Sequence, residues 1–282
     1  MSTEKTQRRV SFITQGQAAI DGAGVKLTRI IGTQQLNMLD PFLLLDCFES
    51  DDPDDYIAGF PSHPHRGFET VTYLLAGKMR HQDSVGNNGV IEPGGVQWMT
   101  AGKGIVHSEM PEQENGLLKG FQLWVNLPST EKMCTPYYQE FSPDKIALEK
   151  SDKGTEIRVV AGKTDQGTLG PVNKDYIKPT YLDVQLAVGN TFKQTISAEH
   201  NCFIYVIEGQ INIADEVITQ NVLAVLSAGE QVTIDAEQAS RFLLLAAKPL
   251  NEPVARSGPF VMNTHEQLMQ AYEDFQTNNL LN

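Results

Sequence analysis

One stretch of this chain is written twice. "TVTYLLAGKMRHQDS", Thr70 to Ser84, lies over "CFIYVIEGQINIADE", Cys202 to Glu216, with Tyr73 on Tyr205 and Gly77 on Gly209; farther along, "IEPGGVQWM" resembles "VLSAGEQVTI". Such self-similarity in a chain of 282 residues predicts two copies of one folding unit. Each copy is a series of short segments rich in Val, Ile, Thr, Tyr and Phe, punctuated by Gly, Pro, Asn and Asp, the pattern of antiparallel strands joined by tight turns. Asn88-Gly89 is the expected hairpin turn, because both residues tolerate positive φ. A double-sheet jelly roll closes this many short strands, so the predicted fold class is all-β, two jelly-roll barrels. Helical spacing enters only at the end, where Thr264 and Gln267 form a capping box and Leu268, Ala271, Tyr272 and Phe275 share a face, predicting a short C-terminal helix. The expected domains are 1–135 and 136–282. The segment from Ser129 to Thr155, with Pro136, Pro143 and mixed charge, is the expected linker.

Charge excludes some functions. A formal net charge of -13 disfavours direct binding to nucleic acid, which needs clustered Lys and Arg; the one basic cluster, Arg8 and Arg9 beside Lys5, is small. The beginning "MSTEKTQRRV" has no apolar stretch of the signal-peptide kind, and the longest clean apolar run, Phe242 to Ala247, is far too short to span a bilayer, so no membrane role and a cytoplasmic location are expected. Cys47, Cys134 and Cys202 are widely spaced and odd in number, which suits a reducing compartment and predicts three buried thiols without a disulfide. "AGKT", Ala161 to Thr164, lacks the first glycine of a phosphate loop, and "ESDDPDD" lacks the ligand spacing of a calcium loop.

The chemistry lies in "HPHRGFET", His63 to Thr70, and "GIVHSEM", Gly104 to Met110. Alternate residues of a strand share a face, so His63, His65, Glu69, Val71 and Tyr73 are expected in one inward row, and His107 and Glu109 on one face of a second strand. Two strands that each present two inward ligands can converge on one cation. The expected metal ligands are His63, His65, His107 and one carboxylate, Glu109 or Glu69, between which spacing does not choose. A lone HxH is more often a hydrogen-bonded surface pair. Here the second pair, and the loss of both from the repeat, where Thr195, Ser197 and Asn201 stand at the positions of His63, His65 and Glu69, favour metal. His81, beside Asp83 and Ser84, reads as a hydrogen-bonded strand histidine rather than a triad member. His265 reads as a solvated residue at the start of the helix.

At these residues the chain resembles the pirin family of the cupin superfamily: "HPHRGFETVTYLLAG", "DSVGNNGVIEPGGVQWMTAGKGIVHSEMP" and "GPFVMNTHEQ" all read like pirin motifs. The resemblance implies a bicupin with iron in the N-terminal barrel alone, ligated by His63, His65, His107 and Glu109, leaving Glu69 behind the ligands. It further implies one of two activities. The first is quercetin 2,3-dioxygenase-type opening of a flavonol or related enol by O2 with release of carbon monoxide. The second is a non-enzymatic, iron-dependent regulator that binds a protein partner. A donor set of three imidazoles and one carboxylate suits Fe(II), while Mn, Co, Ni or Cu would also bind. For the dioxygenase the expected base is Glu109 or Glu69, the expected partner a small flavonol-like or enol substrate, and the expected state a monomer.

Overall fold

In the computed structural model, residues 5–113 and 115–281 are described; the first four residues and the last, which the expected domain boundaries include, lie outside them. The chain divides into two compact β units, one built from 17–143 with 250–282 and the other from 144–249 with the arm that ends at Gly16. Each is a seven-stranded sheet with a four-stranded one, all antiparallel.

In the first unit the large sheet runs Tyr137–Phe141, Val96–Thr100, Phe68–Ala76, Leu118–Asn126, Phe42–Ser50, Val25–Ile31, Gln17–Asp21, and the small one Phe60–His65, Ile105–Pro111, Met79–Asp83, Asn88–Ile91. In the second, the large sheet runs Val10–Gln15, Val222–Leu226, Asn201–Glu208, Ser240–Ala247, Thr180–Leu186, Glu156–Ala161, Ala147–Lys150, and the small one Thr191–Thr195, Gln231–Asp235, Gln210–Ile213, Glu216–Thr219. The orders correspond strand for strand, so the sequence repeat is a structural repeat. Its two glycines do the same work: Gly77 and Gly209 turn the chain at φ +78° and +77°, a conformation that costs a residue with a Cβ.

The strand at the outer edge of each large sheet breaks the symmetry. In the first unit it follows the repeat (Tyr137–Phe141); in the second the N-terminal arm supplies it (Val10–Gln15). The residues after 249 in turn belong to the first unit, so the units do not follow a single cut after residue 135. The expected linker holds the boundary at Pro143/Asp144, yet it is ordered on both sides, as Tyr137–Phe141 and Ala147–Lys150.

Other expectations need correction. Asn88 and Gly89 lie in a strand, and the hairpin turn is Ser84 to Asn87, with Gly86 at φ +98°. Gly89 serves a different need: a Cβ there would come within 2.6 Å of both Glu140 Oε2 and His81 Nε2. Cys47 and Cys202 are buried, but Cys134 is only half-buried. Of the basic cluster, Arg8 is buried and spends its guanidinium on the carbonyls of Ser197, His200 and Ser227. The helix His265–Gln276 carries the expected capping box and packs Leu268 and Ala271 against Phe260, Met262 and Leu280, with Phe275 at the rim and His265 exposed. Among the described residues no helix is long and apolar enough to cross a membrane.

The barrel interiors differ in what fills them. That of the second unit is packed with apolar side chains, among them Leu182, Ile204, Val206, Ile211, Val232 and Phe242. In the first unit Val25, Leu27, Phe48, Leu74, Met79 and Ile91 close one end only. The other end is built where the chain passes from the small sheet to the large one at Gly67, φ +86°, whose carbonyl receives a buried lysine. Lys132 Nζ donates to Gly67 O (2.8 Å), Asn126 Oδ1 (2.8 Å) and Val261 O (2.9 Å), which uses all three of its N–H groups. Lys132→Met leaves those acceptors buried and unpaired, and is expected to cost about 3 kcal/mol of stability. An unchanged urea midpoint would contradict this role.

Candidate metal centre

Gly67 decides what the two histidine strands can present. A Cβ at that position would run into the Val261 carbonyl, so only glycine makes the crossing. His63 and His65 therefore sit on the small-sheet strand Phe60–His65, and Glu69 begins a strand of the large sheet. The single inward row expected from His63 through Tyr73 does not exist. In the large sheet it is the even row that faces the barrel interior: Phe68 meets His65 (ring centroids 5.0 Å apart), Thr72 meets Glu109, and Leu74 packs with Met79 and Ile91. Glu69 points through the opposite face, where Thr100, directly across from it in register, donates to its carboxylate at 2.6 Å.

Antiparallel pairing of Phe60–His65 with Ile105–Pro111 puts His63 directly opposite His107, with a bulge between His107 and Glu109. The three imidazoles of His63, His65 and His107 face one another, with centroid separations of 4.7, 4.4 and 5.0 Å, and one ligand nitrogen from each lies within 4.8 Å of the others. His63 Nδ1 donates to the Pro61 carbonyl at 2.8 Å, which orients the ring and leaves Nε2 as the lone pair. His65 hydrogen-bonds the Pro259 backbone, and its Nδ1 has no partner. His107 is buried with neither ring nitrogen partnered.

Buried polar atoms are normally satisfied, so these orphaned nitrogens mark a place for a group that accepts their lone pairs. Burial holds His65 well below the usual imidazole range, assisted by His63; burial holds His107 there too, assisted by His65 and His63. Neutral imidazoles are what a divalent cation needs, and a trio without thiolates suits a catalytic rather than a structural ion. The residues present thus fit a metal.

Of the two carboxylates, Glu69 is turned away, and Glu109 is buried on the wall of the cavity that His63 and His65 line, where Thr72 Oγ1 donates to its Oε1 at 2.7 Å. Burial pushes the Glu109 carboxyl up, against the lowering effect of that hydrogen bond. His81 lies directly across from Glu109 in register and bonds Glu140 Oε2 through Nε2 at 2.6 Å, with its ring stacked on Tyr138. It is a hydrogen-bonded strand histidine, as read from the sequence.

A cavity of about 640 Å³ opens beside the imidazoles, lined by His63, His65 and Glu109 and walled by Phe48, Phe60, Gln122, Trp124 and Arg256. Trp124 lies 5.3 Å from His65 and 4.4 Å from Phe68 between ring centroids. Sequence reading missed Thr72, Gln122, Trp124 and Arg256. The first follows from strand parity once the break at Gly67 is placed, but nothing local to Arg256 marks it. Among the described residues this trio is the one cluster of metal-ligating side chains.

Known proteins share this architecture. The model of the Pirin family matches residues 24–125, and that of the Pirin C-terminal cupin domain matches 181–280. A pirin-like protein of Caulobacter vibrioides is 51% identical over 269 residues, which cover 95% of this chain and 98% of that protein. Human pirin is 42% identical over 279 residues, covering 96% and 93%. A crystal structure of quercetin 2,3-dioxygenase from Acinetobacter baumannii matches with a TM-score of 0.90 at 33% identity, covering 97% of this chain and 98% of that one.

The depressed imidazoles set a pH dependence. Below about pH 6.5 the unfolded chain takes up protons that folded His65 and His107 resist, so the metal-free protein loses stability as pH falls. The urea midpoint of the metal-free protein is expected to fall between pH 7.5 and pH 5.5 by more than that of a His65→Gln, His107→Gln double variant; equal falls would contradict imidazoles held neutral by burial.

Proposed function

Because the chain belongs to the pirin family of cupin proteins, we propose that it is an iron-dependent dioxygenase of the quercetin 2,3-dioxygenase type, a cytoplasmic monomer that opens a flavonol or related enol with O2. The observation that carries the proposal is the trio of imidazoles, in which His65 and His107 each keep a buried nitrogen without a protein partner, beside a cavity large enough for a planar polycyclic substrate. His63, His65 and His107 are proposed as three ligands and Glu109 as the fourth. Bound Fe(II) would supply Lewis acidity toward the enol oxygen and the electron chemistry that O2 requires. Mn, Co, Ni and Cu would also bind such a donor set, since affinity order does not select among them.

The protein's own groups do the rest. The apolar wall of Phe48, Phe60 and Trp124 excludes water from one side. Glu109 is proposed as the base that takes the hydroxyl proton: burial raises its proton affinity, and Thr72 holds one oxygen in place. Glu69, turned to the other face of its sheet, is left out of the chemistry.

Oxygen uptake with quercetin tests the proposal. The iron-loaded protein is expected to turn over, and metal-free protein or His63→Ala to lose about 100-fold or more. Glu109→Gln is expected to lower kcat by about 10²- to 10⁴-fold, the range of a general base. Glu69→Gln keeps the wild-type rate to within about fivefold, as a residue away from the reacting atoms. Equal turnover with and without metal would refute the iron role, and a Glu69→Gln loss matching that of Glu109→Gln would refute the assignment of the base.

A further inference from the structure

The cavity beside the imidazoles is walled partly by charge, and the charges do not all pair. Arg29 grips Asp46 through two parallel bonds, Nε to Oδ1 at 2.9 Å and Nη2 to Oδ2 at 2.7 Å, and Nη2 also reaches Asp21 Oδ2 at 2.7 Å. Both aspartates are thereby engaged with one cation. Arg256, on the same wall, has no carboxylate in hydrogen-bond contact among the described residues. Its Nη1 donates to the Leu43 carbonyl at 2.8 Å, and its guanidinium carbon lies 4.9 Å from the centre of the Trp124 ring.

A half-buried guanidinium with no carboxylate in hydrogen-bond contact, beside a second arginine and with Asp46 and Asp21 acting on it only from a distance, is a costly arrangement. The fold nevertheless holds it rigidly. Arg256 lies in the hairpin of Ala255–Ser257 with Phe260–Met262, its head is pinned at one corner by a backbone carbonyl, and its guanidinium carbon lies over the Trp124 ring. A guanidinium pinned at one corner still offers donors in a fork that matches the two oxygens of a carboxylate.

Its position is equally informative. The Trp124 ring that carries Arg256 at 4.9 Å has His65 at 5.3 Å, so cation and imidazoles are separated by contacts to one side chain. A planar ring system in this cavity could present an oxygen to the imidazoles at one end and an anionic group to Arg256 at the other.

We propose that Arg256 is a specificity-determining residue that selects a substrate bearing a carboxylate at the end remote from its reacting hydroxyl, so that the preferred substrate class is a planar hydroxyaromatic or enolic acid rather than a neutral flavonol. The proposal rests on the function proposed above only in taking this cavity as the substrate site.

Binding of 6-hydroxy-2-naphthoate, with hydroxyl and carboxylate at opposite ends of a flat bicycle, is compared with that of its methyl ester, by quenching of tryptophan fluorescence and by calorimetry under anaerobic conditions. The iron-loaded wild type is expected to bind the acid at least tenfold more tightly than the ester. Arg256→Gln is expected to bind the two alike, and Arg256→Lys to keep part of the preference. His63→Ala is expected to retain it, which separates recognition by arginine from ligation of the carboxylate by metal. Equal affinity of acid and ester in the wild type, a preference that survives in Arg256→Gln, or no binding of either compound at millimolar concentration overturns the proposal. The wild-type comparison stands without any variant. Failure of oxygen uptake with quercetin would count against the dioxygenase and leave this result readable.

Discussion

The site depends on one register. Antiparallel pairing sets His63 across from His107, and His65, two residues along, falls on the same side as His63. Shifting this pair by one residue would send every imidazole to the other face of the small sheet, since side chains alternate along a strand. The register is held from several sides. Ile105–Pro111 is also paired to Met79–Asp83 on its other edge; Gly67 ends the histidine strand, and its carbonyl is taken by Lys132. Arg66, next to His65, is buried and fully engaged, bonding the Lys103 carbonyl, Asp274 at 2.6 Å and the Leu280 carbonyl. The C-terminal helix is thus tied to the strand that carries two of the three imidazoles.

The two barrels show how one topology supports different interiors. Their strand orders correspond, and their turn glycines adopt the same left-handed φ. What differs is the set of residues that point inward. In the second unit aliphatic and aromatic side chains close the space, each contributing about 1.5–3 kcal/mol on full burial. In the first, one end is given over to imidazoles, a carboxylate and a cavity, polar burial that stabilises little until a ligand completes it. Stability supplied by well-packed strands around the site is what lets such an unfilled end persist.

Much of this was legible in the sequence, for identifiable reasons. Short β-rich runs and the repeated Tyr and Gly positions gave the all-β class and the duplicated unit, because local alternation and turn chemistry are written residue by residue. The capping box around Thr264 and Gln267 was read correctly for the same reason. His63, His65 and His107 lie together, and HxH and HxE are strand-periodic signals from which that proximity can be read. The failures are non-local. A strand that appears continuous from His63 to Tyr73 is broken by a glycine at positive φ, where a carbonyl almost 200 residues away, at Val261, leaves no room for a Cβ, and Glu69 consequently takes the opposite face from the one alternation predicts. Asn88-Gly89 reads locally as a turn, whereas the space that Gly89 leaves belongs to the contact between His81 and Glu140. Exchange of the terminal segments, and with it the placing of Arg256 in the cavity of the first unit, has no local signature at all.

The central claim is that His63, His65 and His107 share one cation inside the first barrel. Anomalous diffraction from crystals of the iron-loaded protein, recorded above and below the iron absorption edge, addresses it most directly. A single peak per chain within coordination distance of all three imidazoles is the predicted result. A barrel without such a peak, or a peak bound by other side chains while the three rings keep their present orientation, would contradict it.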